Sequence, residues 1–298
     1  MELANLTKLR DHSVFVGTNP DLVQASGGNT SWKFASTVWV KGSGKRLKDA
    51  LSQDIFSVIK FDSLTEDEIA TCQDFSTLTS NSIPPSIEAN FHILIKNNFV
   101  THLHSLGAIS LSVSDESIRT KVLYSDLSFI PYCRPGVDLA QAIRQTINYQ
   151  KNILVLQNHG IIFSDSSCLQ IEKKIEKFEK SIRDLFESLN EVPQFPDWIE
   201  ILVSGVLTPD EAVFLGKTPF AMSDAPLVDS ISINSSGELL FPKNLSNDRI
   251  EMVHFYVRVA KMISKKTRVN YLPTSEVESL LGWDKEIKRI ELAKSCNW

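Results

Sequence analysis

"FVTHLHS" at residues 99–105 places two of the chain's six histidines one residue apart, inside a run that otherwise reads as a buried strand. A strand turns successive side chains to opposite faces, so His102 and His104 share one face and Leu103 takes the other. Two imidazoles side by side are either a polar sheet surface or most of a metal site. What surrounds them decides both the fold and the chemistry.

Outward from this strand, short strands and helices alternate. "STVWVKGSG" (36–44) reads as a strand entering a glycine turn, and "DIFSVIKF" (54–61) as another strand. Thr65 and Glu68 form the capping box of a short helix. Over 84–98 the prolines suit a first helical turn, with Ile87, Phe91, Leu94 and Ile95 on the apolar side. "KNILVLQNHGIIFS" (151–164) supplies two apolar runs broken at Gln157–Gly160. A charged helix over 166–190 carries Ile171, Ile175, Phe178, Ile182 and Phe186 on one stripe. The prolines of 191–199 predict a connection. Beyond it come a helix at 208–216 with a Thr208/Glu211 capping box and a hairpin over 230–241 turning at Ser235–Gly237. Helices over 247–265 and 275–295 follow, the second opened by Ser275 and Glu278. No chemical cluster is evident after residue 200.

The 298 residues, 42% hydrophobic and 22% charged, suit one large domain or a domain with an appendage, here 1–195 and 196–298. A net charge of −5 gives no general attraction to nucleic acid or anionic membrane. No apolar run approaches the ~20 residues of a membrane span. The start lacks a basic region followed by an apolar core, so no secretory signal is expected. The four cysteines, Cys72, Cys133, Cys168 and Cys296, form no C-x-x-C pair, which sets aside zinc-finger and disulfide-scaffold readings and suits a cytoplasmic protein.

His159 lies in "QNHG", where a strand ends and glycine permits a sharp turn. Glu88 and His92 are one helical turn apart. A catalytic zinc takes three or four nitrogen or oxygen ligands and keeps one position open for substrate. An H-x-H strand, a third histidine from a neighbouring strand end and Glu88 meet that demand. His92 reads as packed beneath the site, and His12 and His254 as surface or satisfied histidines. "ASGGNTSWK" (25–33) and "KGSGK" (41–45) offer backbone N–H groups and small polar side chains, the ingredients of an anion cradle or of ordinary hairpin turns. Neither matches a P-loop or a dinucleotide fingerprint.

Taken in order, Gly-Gly-Asn-Thr-Ser, Lys-Gly-Ser-Gly, Ser86-Ile87-Glu88, His102-Leu103-His104 and Asn158-His159-Gly160 resemble the class II aldolase/adducin family. "FIPYCRPGVDLA" (129–140) resembles its Pro-Tyr…Pro-Gly segment before a helix. The likeness covers about residues 5–190. "GGNTSxK…VWVKGSG" is most similar to the aldolase half of rhamnulose-phosphate aldolase/dehydrogenase fusions. The resemblance implies a three-layer α/β/α fold with a largely antiparallel central sheet, followed here by a C-terminal α+β extension. It implies a zinc or similar divalent ion held by His102, His104 and His159, with Glu88 as the acid/base carboxylate and a further ligand. Gly28, Asn29, Ser43, Gly44 and Ser86 would hold a substrate phosphate or an equivalent polar end. The implied activity is aldol cleavage of a ketose or ketose phosphate by a homo-oligomer, a tetramer in the family's aldolases. Ile87 stands where sugar-phosphate aldolases often have a second serine, and the stretch from Glu88 to His102 is compact.

An epimerase or a sugar-acid decarboxylase would use the same residues, since each needs a stabilised enolate-like intermediate. A cupin also combines H-x-H, a glutamate and a later histidine, but its glutamate follows the pair and Glu88 precedes it. A non-catalytic adducin-like scaffold would have lost the ligands retained here.

Overall fold

The computed structural model describes residues 2–122, 127–146, 151–189, 197–263 and 268–295. In chain order the elements begin with α1 (Glu2–Gly17), β1 (Asn29–Phe34), β2 (Thr37–Lys41), β3 (Phe56–Lys60), α2 (Glu66–Thr71), α3 (Ala89–Leu94) and β4 (Phe99–Leu103). They continue with α4 (Leu106–Val113), α5 (Glu116–Arg119), β5 (Leu127–Ile130), α6 (Val137–Thr146), β6 (Ile153–Leu156), β7 (Gly160–Asp165) and α7 (Cys168–Leu189). A C-terminal segment adds α8 (Asp197–Ser204), α9 (Pro209–Leu215), β8 (Phe220–Met222), β9 (Ile231–Ile233) and β10 (Leu239–Leu240). It ends in α10 (Asn247–Met262), α11 (Thr274–Leu281) and α12 (Asp284–Ser295).

The central sheet runs β3-β2-β1-β4-β7-β6-β5 and is antiparallel except between β5 and β6. Helices α1, α4 and α7 pack on one face, and α2, α3 and α6 on the other, which is the α/β/α architecture expected. Side-chain alternation in β4 divides the two layers. Phe99 and Leu103 join the α1–α4–α7 core, while Val100 joins the opposite core and the His102 ring meets Phe91 edge-on. The α7 stripe of Ile171, Ile175, Phe178, Ile182 and Phe186 is fully buried, as its 3.6-residue spacing predicts. The Thr65–Glu68 capping box closes on both sides.

Local departures have identifiable causes. The helix predicted over 84–98 begins only at Ala89, because Pro84–Ser86 docks on the glycine turn after β2, where the Ser43 amide donates to the Pro84 carbonyl at 2.9 Å. A proline also disfavours helical geometry in the residue before it. At its other end α3 is capped by Lys33, whose ammonium donates to the carbonyls of His92 (3.1 Å), Ile93 (2.7 Å) and Ile95. The stretch Asn29–Ser31 is strand rather than open loop, so its backbone groups are spent in the ladder against β2 and β4. The connection predicted over 191–199 falls partly outside the described residues, and from Asp197 the chain is already α8.

Beyond α8 the hairpin β9–β10 forms with Gly237 in the left-handed region (φ 83°). Thr208 caps α9 as expected, but the Glu211 carboxylate accepts from the Leu207 amide instead of closing the box. The single helix predicted over 275–295 is two, broken at Gly282–Trp283, and Pro273 precedes the first without a side-chain cap. Phe214, Phe255, Tyr256 and Ile231 form a core that also takes in Ala25, Ile109 and Val113. Arg46 bonds Asp248 (2.7 Å) and Glu251 (2.5 Å) on α10. Asn158 donates to the carbonyls of Leu207 (2.7 Å) and Asn270 (2.6 Å). Among the described residues no helix is long and apolar enough to cross a membrane.

Candidate metal centre

Three elements meet at one end of the sheet. β4 ends at Leu103, with His102 within it and His104 one residue beyond. The Ser105 side chain then caps α4, so the chain turns away directly after His104. His159 comes from the tight turn joining β6 to β7. Its neighbour Gly160 is obligatory, since a Cβ there would lie 2.3 Å from the Leu103 carbonyl oxygen and 3.1 Å from the His104 ring. Glu88 precedes α3 at the N-cap position. All four residues are buried.

The imidazoles of His102, His104 and His159 bring one nitrogen each within 4.8 Å of the others. The Nε2 atoms of His102 and His104 are 3.0 Å apart. Glu88 Oε1 lies 3.3 Å from His159 Nε2, and Oε2 lies 3.7 Å from His102 Nε2. His102 Nδ1 donates to the Ile161 carbonyl at 3.0 Å, which directs its Nε2 lone pair inward. His104 Nδ1 sits 2.8 Å from an Asp210 carboxylate oxygen. His102 and His104 thus turn their Nε2 atoms toward one shared space. Glu88 Oε1 is buried with no hydrogen-bond partner, a carboxylate oxygen aimed into the same space. Three imidazole nitrogens and a carboxylate are the donor set of a zinc-type ion, and the site fits one.

Burial sets the charges. It pushes His159 down to about 3 and His102 well below the ordinary imidazole range, leaving both neutral with lone pairs available. Burial also pushes Glu88 up to about 7, against the pull of His104 and Arg289. Its Oε2 accepts from the Asn29 amide at 2.8 Å, and its backbone N–H donates to Ser86 Oγ at 3.2 Å. His92 is not part of the cluster. It lies fully buried beneath it, with Nδ1 2.7 Å from Ser31 Oγ. His12, read as a surface or satisfied histidine, is a satisfied one, buried behind β4 between Thr101 (2.8 Å) and Glu172 (2.9 Å).

Beside the histidines is a small pocket, lined by Gly28, Asn29, Ser43, Gly44 and Ser86 together with Glu88 and His104. Gly28 and Gly44 both have positive φ (62° and 73°), which turns the chain sharply around the cavity. Two cations also border it. Lys41 is buried, with its ammonium on the Ser26 and Lys45 carbonyls, and burial brings it down to about 7. Arg289 comes from α12. A larger groove between α12 and the 73–87 loop shares Ser43, Ser86 and Ile87 with this pocket, and leads out past Lys285 and Lys288.

Sequence reading missed Lys41 and the contribution of the C-terminal segment. Asp210 on α9 and Glu286 on α12 are buried at the histidine cluster, and the partly buried Arg289 of α12 pairs with both. Burial opposes ionisation of Asp210, but Arg289 and His104 hold its carboxyl well below the usual range. The segment expected to carry no chemical cluster therefore borders the site.

A family model described as "Class II Aldolase and Adducin N-terminal domain" matches residues 17–185. The "Uncharacterized oxidoreductase YuxG" of Bacillus subtilis (strain 168) is 24% identical over 201 residues, which make up 60% of this chain and 29% of that protein. The match thus spans less than a third of that relative's length. The N-terminal class II aldolase domain of a conserved protein from Thermoplasma acidophilum superposes with a TM-score of 0.50 at 23% identity, over 59% of this chain and 91% of that one. For L-fuculose-1-phosphate aldolase from Thermus thermophilus the TM-score is 0.45 at 14% identity, over 62% and 96%. At its identity the Thermoplasma structure speaks to the fold alone.

Proposed function

Because the chain belongs to the class II aldolase and adducin family, we propose that it is a metal-dependent aldehyde-lyase cleaving a ketose or ketose phosphate through an enediolate. The observation that carries this reading is the convergence of three imidazoles and the unpartnered Glu88 oxygen beside a glycine- and serine-lined cavity. A bound divalent ion, zinc or one like it, supplies the positive charge that a developing enediolate requires.

The chain's own residues do the rest. Glu88, buried beside the histidines with one carboxylate oxygen unpartnered, is placed to move a proton on and off carbon. Asn29 fixes one of its oxygens and leaves the other free for that transfer. Ser43 and Ser86 offer hydroxyls, and the Gly28 and Gly44 turns offer close backbone approach, to the far end of the sugar or its phosphate. Lys41 and Arg289 add positive charge there. The same reading makes the protein a cytoplasmic homo-oligomer, tetrameric by analogy with the family's aldolases.

The test is a panel of ketose phosphates and unphosphorylated ketoses, given to ion-loaded protein and scored for released aldehyde. Glu88→Gln should retain its circular dichroism spectrum and lose about 10²–10⁴ in turnover. Absence of aldehyde from every ketose, or undiminished turnover in the variant, would reject the reading.

A further inference from the structure

We propose that Asp210, held in place by Arg289, is the positioning residue for His104, so that ion binding at the histidines and docking of α12 are thermodynamically linked. The proposal rests on the metal-dependent reading above and concerns residues outside the segment that matches the family, 17–185.

A ligand imidazole needs its second nitrogen fixed if the first is to present a lone pair. His102 obtains this from within the sheet, through the Ile161 carbonyl. His104 lies just past the end of β4, and its Nδ1 faces Asp210 at 2.8 Å. Asp210 is buried, and a buried carboxylate persists only with a compensating charge. Arg289 supplies it, donating from Nη2 to the other carboxylate oxygen at 2.5 Å. Glu286, one turn earlier on α12, lies 2.8 Å from Arg289 Nε and adds a second carboxylate beside the guanidinium.

The chain leaves room for this assembly. A Cβ on Gly27 would come within 3.1 Å of both Asp210 Oδ2 and His104 Nδ1. The approach of Asp210 to the ring is off the N–H direction, since that carboxylate oxygen closes no aligned hydrogen bond. The contact is thus an electrostatic restraint: a carboxylate 2.8 Å from Nδ1 favours the ring's proton there rather than at Nε2. A cation at Nε2 favours the same form. Linkage is reciprocal, so whatever strengthens one contact strengthens the other. Without α12, Asp210 loses its counter-charge and His104 its restraint.

The experiment titrates Zn²⁺ into the intact protein against a chromophoric chelator. Asp210→Asn keeps the shape but cannot ionise, and should bind the ion about 10–100-fold more weakly. With saturating Co²⁺ its visible ligand-field bands should differ from those of the wild type, which a general loss of stability would not produce. In the wild-type protein, Zn²⁺ should slow amide hydrogen exchange in α12, and this arm decides the matter if the variant does not fold. Wild-type ion binding with equal affinity and spectrum in Asp210→Asn, or exchange in α12 that ignores the ion, overturns the linkage and leaves the aldolase reading standing. Failure of the wild type to bind any divalent ion overturns both.

Discussion

His102, His104 and His159 reach the site from neighbouring strands of one sheet, whereas Asp210 and Arg289 reach it from two short helices late in the chain. The sheet side is fixed by ladder pairing in register, Asn29 against His102 and His102 against Ile162, with apolar layers on both faces. The helical side is fixed near the site by ion pairs: Arg289 with Asp210 and Glu286, and Arg46 with Asp248 and Glu251. A register shift in the sheet would move every side chain to the other face, so that half is all or nothing. Ion pairs can be weakened one at a time, so the other half is gradable. The proposed ligands sit on the side that cannot slip, and the proposed control of His104 comes from the side that can.

This contrast can be broken most severely from the sheet. His102→Ala removes a ligand that nothing nearby replaces, and should weaken ion binding by at least about 10³-fold, roughly 4 kcal/mol. A chelator competition measures it. A loss no larger than that of Asp210→Asn would erase the distinction between the two halves. Arg46→Met tests the helical side, because it removes two charged hydrogen bonds to α10 while keeping an apolar stem. A stability loss of about 2 kcal/mol in urea is expected. Unchanged stability would mean that α10 docks through its apolar face alone.

The smallest effect concerns pH. Burial pushes Glu211 on α9 up to about 8 from 4.5, against its bonds from the Leu207 and Thr208 backbone. A folded pKa above the unfolded one gives a contribution present below about 4.5 and lost as pH rises through about 8. The ion-free protein should therefore lose stability between about pH 5 and about pH 9. Glu211→Gln should flatten that decline and gain about 1 kcal/mol at about pH 9. A decline of equal slope in the variant would assign the pH sensitivity elsewhere.

The sheet half was largely legible in the amino-acid order because its demands are local. H-x-H needs a strand, "QNHG" needs a turn, and glycines mark where backbone must come close. The polar strand β1 was less legible: Asn29, Thr30 and Ser31 read as loop, yet they are buried against polar partners such as Glu88, Ser13 and His92. The prolines at 84–85 suited a helix start, and only the tertiary contact with Ser43 holds them out of one. Asp210 was illegible for a different reason. An acidic residue after Thr-Pro is what any helix N-terminus carries. Glu286 and Arg289 look like an ordinary solvated i, i+3 pair. Only the docking of α12 tells these apart from surface charges, and no short-range pattern encodes it.

The turn that delivers His159 has a bearing on which sequences this protein can tolerate. Asn158 holds a left-handed backbone (φ 54°) while its side-chain amide donates to two carbonyls of the C-terminal segment. Glycine would satisfy the backbone but has no amide, aspartate has no donor, and glutamine does not favour that backbone. Variation at position 158 is thus confined to asparagine by two unrelated requirements. The position of His159 is in turn set by a neighbour that lies outside the histidine cluster.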